Sequence, residues 1–352
     1  MSDDSQVFCF VTPCNTRTYP EVGALPVCKS WRGAFLFAAH PTIRARFQTV
    51  RTISTRKLRI AAGTALLFVV SCSRAPQQID RQVYAGEIDQ WRAKRLASLT
   101  SESGWLSLIG LFWLKEGRNT FGSDAANDIV VPKVPTRAGE FVLANGVVTF
   151  RTPHVKTFIV DDAPISSVEL KNDLDDKPTI VRAGSLSFQI IKREDKLGVR
   201  VKDKDSPDRA GFRGLEYFPT DPKWRIEARF EPYNPPRAIP ILNVLNMETD
   251  EPSPGAVAFE VGGKTYRLDA ITEKGNPQFF MIFADDTRGK ETYGAGRYLY
   301  IDPPDANNRI VIDFNKAYSP PCAFTNFATC PLPPQQNILP IAINAGEKFT
   351  GH

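Results

Sequence analysis

The clearest alternation of apolar and polar positions runs over Trp224–Glu231. There Trp224, Ile226, Ala228 and Phe230 are apolar, while Arg225, Glu227 and Arg229 are charged. A period of two puts the apolar set on one face of a half-buried strand. Shorter runs of the same kind precede it at Ile129–Val131, Glu140–Leu143, Val147–Arg151, Phe158–Val160, Ser187–Lys192 and Gly198–Val201. Others follow at Gly255–Val261, Lys264–Leu268, Gln278–Ala284, Arg297–Ile301 and Ile310–Phe314. Asn145-Gly146 and Gly262-Gly263 sit where two-residue hairpins need positive φ. A helical period occurs over Tyr84–Leu99, with Tyr84, Ile88, Trp91 and Leu99 on one face and Arg95 interrupting it. The densely apolar stretch Gly104–Leu114 has two open readings, a cover over the β core or a membrane-facing wedge.

No repeated helices separate the strands, which argues against a βαβ fold. The pattern predicts a mainly β protein with one short N-terminal helix. Segment 84–114 packs on the β core, and 115–202 forms an antiparallel sandwich-like unit. A connecting segment, 203–219, follows, with Lys202–Arg209 a polar loop and Arg209 and Arg213 solvated turn residues. The rest, 220–348, forms a second antiparallel sandwich or partly open barrel that ends in a Pro-rich strap. Twenty-eight prolines against three methionines and three histidines suit such a loop-rich β chain.

The net charge of +5 suggests a nucleic-acid partner until it is located. Nine of the 44 basic and three of the 39 acidic residues lie in 1–71, which leaves 35 against 36 over 72–352. A near-neutral remainder offers no field for a phosphate backbone, so no nucleic-acid partner is expected. The early charges serve another pattern. Arg56-Lys57-Leu58-Arg59 precedes the apolar run Ile60–Val70, which ends in Val69-Val70-Ser71-Cys72. A positive segment followed by a short apolar one has the order of an export signal. The ending resembles the bacterial lipoprotein processing box. That resemblance implies cleavage after Ser71, a diacylglycerol thioether on Cys72 and an exported, periplasm-facing protein held to the membrane by acyl chains. Residues 50–71 are then the signal and 72–83 a tether. Residues 1–49, with Cys9, Cys14, Cys28 and His40, read as an extension upstream of a translation start near Val50.

Candidate chemistry gathers late in the chain. Asp285 and Thr287 follow one strand, Tyr293 and Arg297 lead into the next, and Asp313, Asn315 and Tyr318 close a third. Adjacent antiparallel strands bring such ends together, with Arg297 as a fork for a small anionic or polar ligand and Tyr293 and Tyr318 as walls. The competing reading is a buried, hydrogen-bonded pair between Arg297 and Asp285 or Asp313 that holds strand ends. A metal-independent hydrolase built on Asp, Tyr and Arg is the enzymatic alternative, and a purely structural or interaction module the third. His154 lies in a hairpin turn with no Gly-x-Ser-x-Gly elbow to serve. The scarcity of His and Cys predicts no metal site, and no cofactor motif is present. Cys322 and Cys330, eight apart in an exported chain, are expected to form a disulfide.

Two longer signatures carry family resemblances. Gly117-Arg118-Asn119-Thr120-Phe121-Gly122 with Asn127-Asp128-Ile129-Val130 resembles the opening of forkhead-associated sandwiches, which implies topology only, since the phosphate-site elements of that family have no match here. Gly104–Asp128 together with Asp313–Phe324, Cys330–Pro334, Asn337 and Ala345–Lys348 resembles the DUF1684 family of uncharacterised bacterial and archaeal proteins over roughly 84–348. That resemblance implies no reaction. A translation start near Val50 predicts that peptide mapping of the native protein recovers nothing upstream of residue 50, and one such peptide refutes it.

Overall fold

A computed structural model describes residues 80–349. Cys72, the signal-type segment, residues 1–49 and all of the tether before Asp80 lie outside the described residues. The long helix spans Arg81–Leu99, three residues earlier than its apolar period suggests, because Asp80 caps it. The Asp80 carboxylate accepts from the backbone N–H of Gln82 at 2.9 Å and of Val83 at 3.2 Å, which satisfies two of the helix's orphan donors. Tyr84, Ile88 and Leu99 are buried as expected, and Trp91 is half-buried. Arg95 does not interrupt that face. It donates from Nε to Glu347 at 3.2 Å and from Nη2 to the Ser319 carbonyl at 2.9 Å, so a charged side chain docks the helix.

The protein is mainly β. A six-stranded sheet orders as 108–113, 196–203, 186–193, 180–183, 159–160 and 163–164. A five-stranded sheet orders as 129–130, 117–122, 139–144, 147–151 and 167–170. Between them Phe121, Phe141, Phe150, Phe158 and Phe188 form a buried cluster. Their rings meet largely edge to face, with Phe121 and Phe188 5.2 Å apart. Asn145 and Gly146 both take positive φ in the hairpin their sequence predicts.

Two of these strands escape the sequence pattern. Gly104–Leu114 packs on the core as part of a sheet: Trp105–Ser107 is a 3₁₀ turn, Leu108–Trp113 a strand paired with Lys196–Asp203, and Ile109, Phe112 and Leu114 lie against the phenylalanine cluster. It lacks alternation because both of its faces are at least partly covered. The strand Gly117–Gly122 is masked by Gly, Arg and Asn. Its Asn119 is buried, accepts from Lys115 N–H at 2.9 Å and donates to the Phe141 carbonyl at 3.2 Å. A Cβ on Gly122 would sit 2.2 Å from the Thr136 carbonyl. The forkhead-like signature is therefore scaffold.

The second unit is one curled six-stranded sheet, ordered 297–301, 279–283, 264–272, 248–261, 225–242 and 309–313. Its curl encloses Trp224, Phe230, Phe259, Phe283, Phe314 and Ile343. The strand Arg225–Leu242 far outruns its legible alternation, and a register shift between Pro232 and Arg237 accommodates its prolines. The predicted polar loop also differs. Pro207–Gly211 is a helical turn capped by Ser206, and Arg209 donates to the carbonyls of Thr100 at 2.7 Å and Lys204 at 2.6 Å instead of facing solvent.

On the outer face of the curled sheet lies a second apolar layer of Ile239, Ile241, Ile271, Phe280, Ile282 and Tyr298. Trp105, Tyr300 and Tyr318 pack against it. This layer faces the helix and the edge of the first unit.

Candidate functional site

The sequence-predicted residues separate into two networks and two outlying tyrosines. Asp285 and Arg297 flank adjacent strands, in which Phe283 pairs with Arg297. Their side chains are each 1% exposed, and the Arg297 guanidinium meets the Asp285 carboxylate directly. Arg297 also donates to the carbonyls of Ile343, at 3.0 Å, and Ala345. Asp285 accepts from the Thr287 N–H at 2.9 Å and from its hydroxyl, and the Thr287 and Thr292 hydroxyls are 2.8 Å apart. Burial pulls the Arg297 guanidinium down, and the Asp285 charge opposes it. Gly296 turns the chain into this network at φ +95, where a Cβ would lie 2.5 Å from the Phe283 carbonyl. None of Asp285, Thr287 and Arg297 lines either cleft described below.

Asp313 and Asn315 form the other network. The Tyr84 hydroxyl donates to Asp313 Oδ1 at 2.8 Å, and the Asn315 amide donates to the Tyr84 oxygen and to the Asp221 carbonyl, both at 2.9 Å. The start of the long helix is thereby fixed to the end of strand 309–313. Tyr293 donates to the Cys322 carbonyl at 3.0 Å. Cys322 and Cys330 form a disulfide. Tyr318 stands apart, its ring 6.4 Å from Trp91, 6.5 Å from Tyr300 and 4.7 Å beneath the Arg95 guanidinium.

Tyr318 opens onto a cleft of ≈ 660 Å³ between the long helix, the edge of the first unit and the apolar layer of the second. That is an ordinary size for a small-molecule site. Its walls are aromatic: Trp91, Trp105, Phe280, Tyr298, Tyr300 and Tyr318. Four basic groups line it, Lys94, Arg95, Arg193 and Arg200, against one carboxylate, Glu273. Glu273 accepts from the Tyr300 hydroxyl at 2.7 Å. Arg95 is held by Glu347, and Arg193 by Asp173 at 2.8 Å.

Arg200 is different. It is 7% exposed, its Nε has no hydrogen-bond partner, and among the described residues no carboxylate forms an ion pair with it. Its guanidinium lies 5.2 Å from the Trp105 ring centroid. Burial, with Arg193 adding repulsion and the Asp173 charge opposing both, pushes it down to about 10, which leaves it charged at neutral pH. Burial likewise pushes the Tyr298, Tyr300 and Tyr318 hydroxyls up, so they stay protonated. The cleft therefore offers cations, neutral O–H groups and ring faces. Sequence alternation concealed Arg200, which sits in a short strand among valines. Among the described residues no group of three or more His, Cys, Asp or Glu converges as a metal site.

Residues 210–348 match the model of a family described as "Protein of unknown function (DUF1684)". The C-terminal signature from Asp313 to Lys348 lies inside that match, and Gly104–Asp128 lies outside it. No curated protein matches the chain. Among solved structures, an uncharacterized protein of Haloarcula marismortui is 33% identical over 40% of this chain and 78% of that one, at a TM-score of 0.35. An FHA domain from a study of phosphothreonine-dependent FHA interactions is 17% identical over 26% of this chain and 92% of that one, at a TM-score of 0.19. The FhaA FHA domain complexed with the intracellular domain of Rv3910 is 17% identical, with 26% and 97% covered and the same TM-score.

The Arg297–Asp285 network predicts a specific stability pattern. Asp285→Ala strands a buried guanidinium and should lose about 3–5 kcal/mol in urea unfolding, whereas the double change Asp285→Leu with Arg297→Met should recover part of that loss, the remainder being the bonds to the Ile343 and Ala345 carbonyls that Arg297 no longer makes. Equal losses in both variants would contradict a closed structural pair.

Proposed function

We propose, for a chain whose residues 210–348 belong with the DUF1684 proteins of unknown function, that it binds a small anionic ligand with a ring-bearing body in the aromatic cleft beneath the long helix. One observation carries the reading: Arg200 is buried in the cleft wall with its Nε unpartnered and no carboxylate in ion-pair contact, Asp173 acting on it only from a distance. An unpaired buried cation destabilises a fold, and an anion delivered by a ligand removes that cost. The six aromatic walls favour a flat apolar body, while the Tyr298 and Tyr300 hydroxyls already donate to the Pro331 carbonyl and to Glu273. The anion-binding role expected of Arg297 is thus assigned to Arg200, with Tyr318 common to both readings.

The test uses anilinonaphthalene sulfonate, which joins an anion to aromatic rings. Wild-type protein should bind it saturably. Arg200→Met should weaken binding about tenfold or more, the equivalent of one charge-assisted hydrogen bond of about 1.5–3 kcal/mol. Thermal unfolding of Arg200→Met without ligand should occur at the same temperature or higher, because a buried charge has been removed. A variant that melts lower and binds as before refutes the reading.

We also propose that this cleft works at a membrane surface in the cell envelope. The order of Arg56–Arg59, the apolar run to Val70 and Ser71-Cys72 supports a lipid anchor on Cys72. Metabolic labelling with a palmitate analogue in a bacterial host should tag the native protein, and Cys72→Ser should abolish the tag. Undiminished labelling of Cys72→Ser would sink the anchor.

A further inference from the structure

Trp91, Tyr300 and Tyr318 line the aromatic cleft and also a second cavity of ≈ 840 Å³ on its other side. The three rings stand in the walls of both chambers. The far chamber differs in chemistry. Arg225, Arg309 and Lys316 line it together with Glu227, Asp302, Asp305 and Asp313. Several of these groups are already matched: Arg309 Nε meets Asp305 at 3.0 Å, and Asp302 accepts from Gln278 at 2.9 Å.

Asp313 is matched on one side only. It is 6% exposed. Its Oδ1 accepts from the Tyr84 hydroxyl at 2.8 Å, from the Asn315 N–H at 3.1 Å and from the Asn315 amide at 3.2 Å. Its Oδ2 is buried and accepts nothing. Lys316 Nζ stands 3.9 Å away, beyond hydrogen-bond reach. A buried carboxylate oxygen without a donor is as costly as the unpaired guanidinium of Arg200, and the two orphans belong to residues that line two chambers with three rings in common.

We infer that the ligand is two-ended, with an acidic group at Arg200, a flat apolar middle along Trp91, Tyr300 and Tyr318, and a hydrogen-bond donor at Asp313 Oδ2. This rests on the cleft being an anion site. The donor is an N–H or O–H group, and each such group satisfies Oδ2 without displacing the three bonds at Oδ1. Glu227, Asp302 and Asp305, which line the far chamber with Asp313 and outnumber its cations four to three, bias it against a second acidic group. The substrate class is therefore amino or hydroxy acids whose two functions are separated by rings, and not dicarboxylates.

The experiment is calorimetric titration with para-substituted biphenyl and terphenyl carboxylates that end in hydroxyl, aminomethyl, methoxy or carboxylate. The hydroxyl or aminomethyl acid should bind wild type about tenfold tighter than its methoxy counterpart, as one hydrogen bond to a charged acceptor implies. The dicarboxylate should bind weakest. Asp313→Asn keeps an oxygen for Tyr84 and Asn315 but puts an NH2 donor where Oδ2 stood, and should erase or reverse the advantage of the hydroxyl and aminomethyl acids over the methoxy acid. If that variant does not fold, the wild-type series carries the test alone. Equal affinity across all four end groups, with binding still lost in Arg200→Met, overturns the two-ended ligand and leaves the anion site standing. No binding by any of them overturns both.

Discussion

The Arg297–Asp285 contact is the fixed point from which the rest of the second unit hangs. Two side chains with 1% exposure hold adjacent strand ends, and the same guanidinium reaches the carbonyls of Ile343 and Ala345 in the irregular C-terminal segment. Without a regular ladder, that segment depends on such side-chain bonds for its place. Once held, it presents Glu347, itself pushed up by burial, to Arg95. The helix then lies on the strap, and the strap and helix together wall the cleft. A charge pair that lines neither cleft thus helps to hold a segment against which the cleft-forming helix docks.

The cleft is assembled with deliberate local inconsistencies. Folded proteins place partners on buried polar groups almost everywhere, and this one obeys that rule at Asn119, Thr287 and Asn315. Six buried side-chain atoms among the described residues lack a partner, and two of them, Arg200 Nε and Asp313 Oδ2, belong to residues on the walls of adjoining chambers. Such violations mark the places where selection for something besides folding has acted. Burial keeps the cleft tyrosines protonated, and two of them commit that proton inside the protein, Tyr298 to the Pro331 carbonyl and Tyr300 to Glu273.

Much of the β framework was legible from alternation. The strands Val147–Arg151 and Arg297–Ile301 have the bounds their residues suggest, and both positive-φ hairpins form where Asn145-Gly146 and Gly262-Gly263 place them. Leu108–Trp113 was not legible, because a strand covered on both faces has no polar phase to read. The site was half legible. Polar strand ends drew attention to Asp285, Arg297 and Asp313, but charge and hydrogen-bonding capacity read alike whether they end in a sealed network or an open wall. Arg200 gave no signal because its environment is made by Trp105 and the helix, residues from other parts of the chain. Arg95 misled for the same reason: its partner Glu347 lies 252 positions away.

That separation bears on how the chain comes to be made. The long helix closes a loop that runs almost to the end of the described chain, with Tyr84 meeting Asp313 across 229 positions and Arg95 meeting Glu347 across 252. During synthesis the first sandwich can collect its phenylalanine core from local pairings as it emerges. The helix has no seat until the last strand and strap have left the ribosome. Until then Tyr84, Ile88 and Leu99 remain uncovered, and non-local closure of this length is slow. The helix therefore stays unseated while the rest of the described chain is made, and the aromatic cleft, which needs both, forms late.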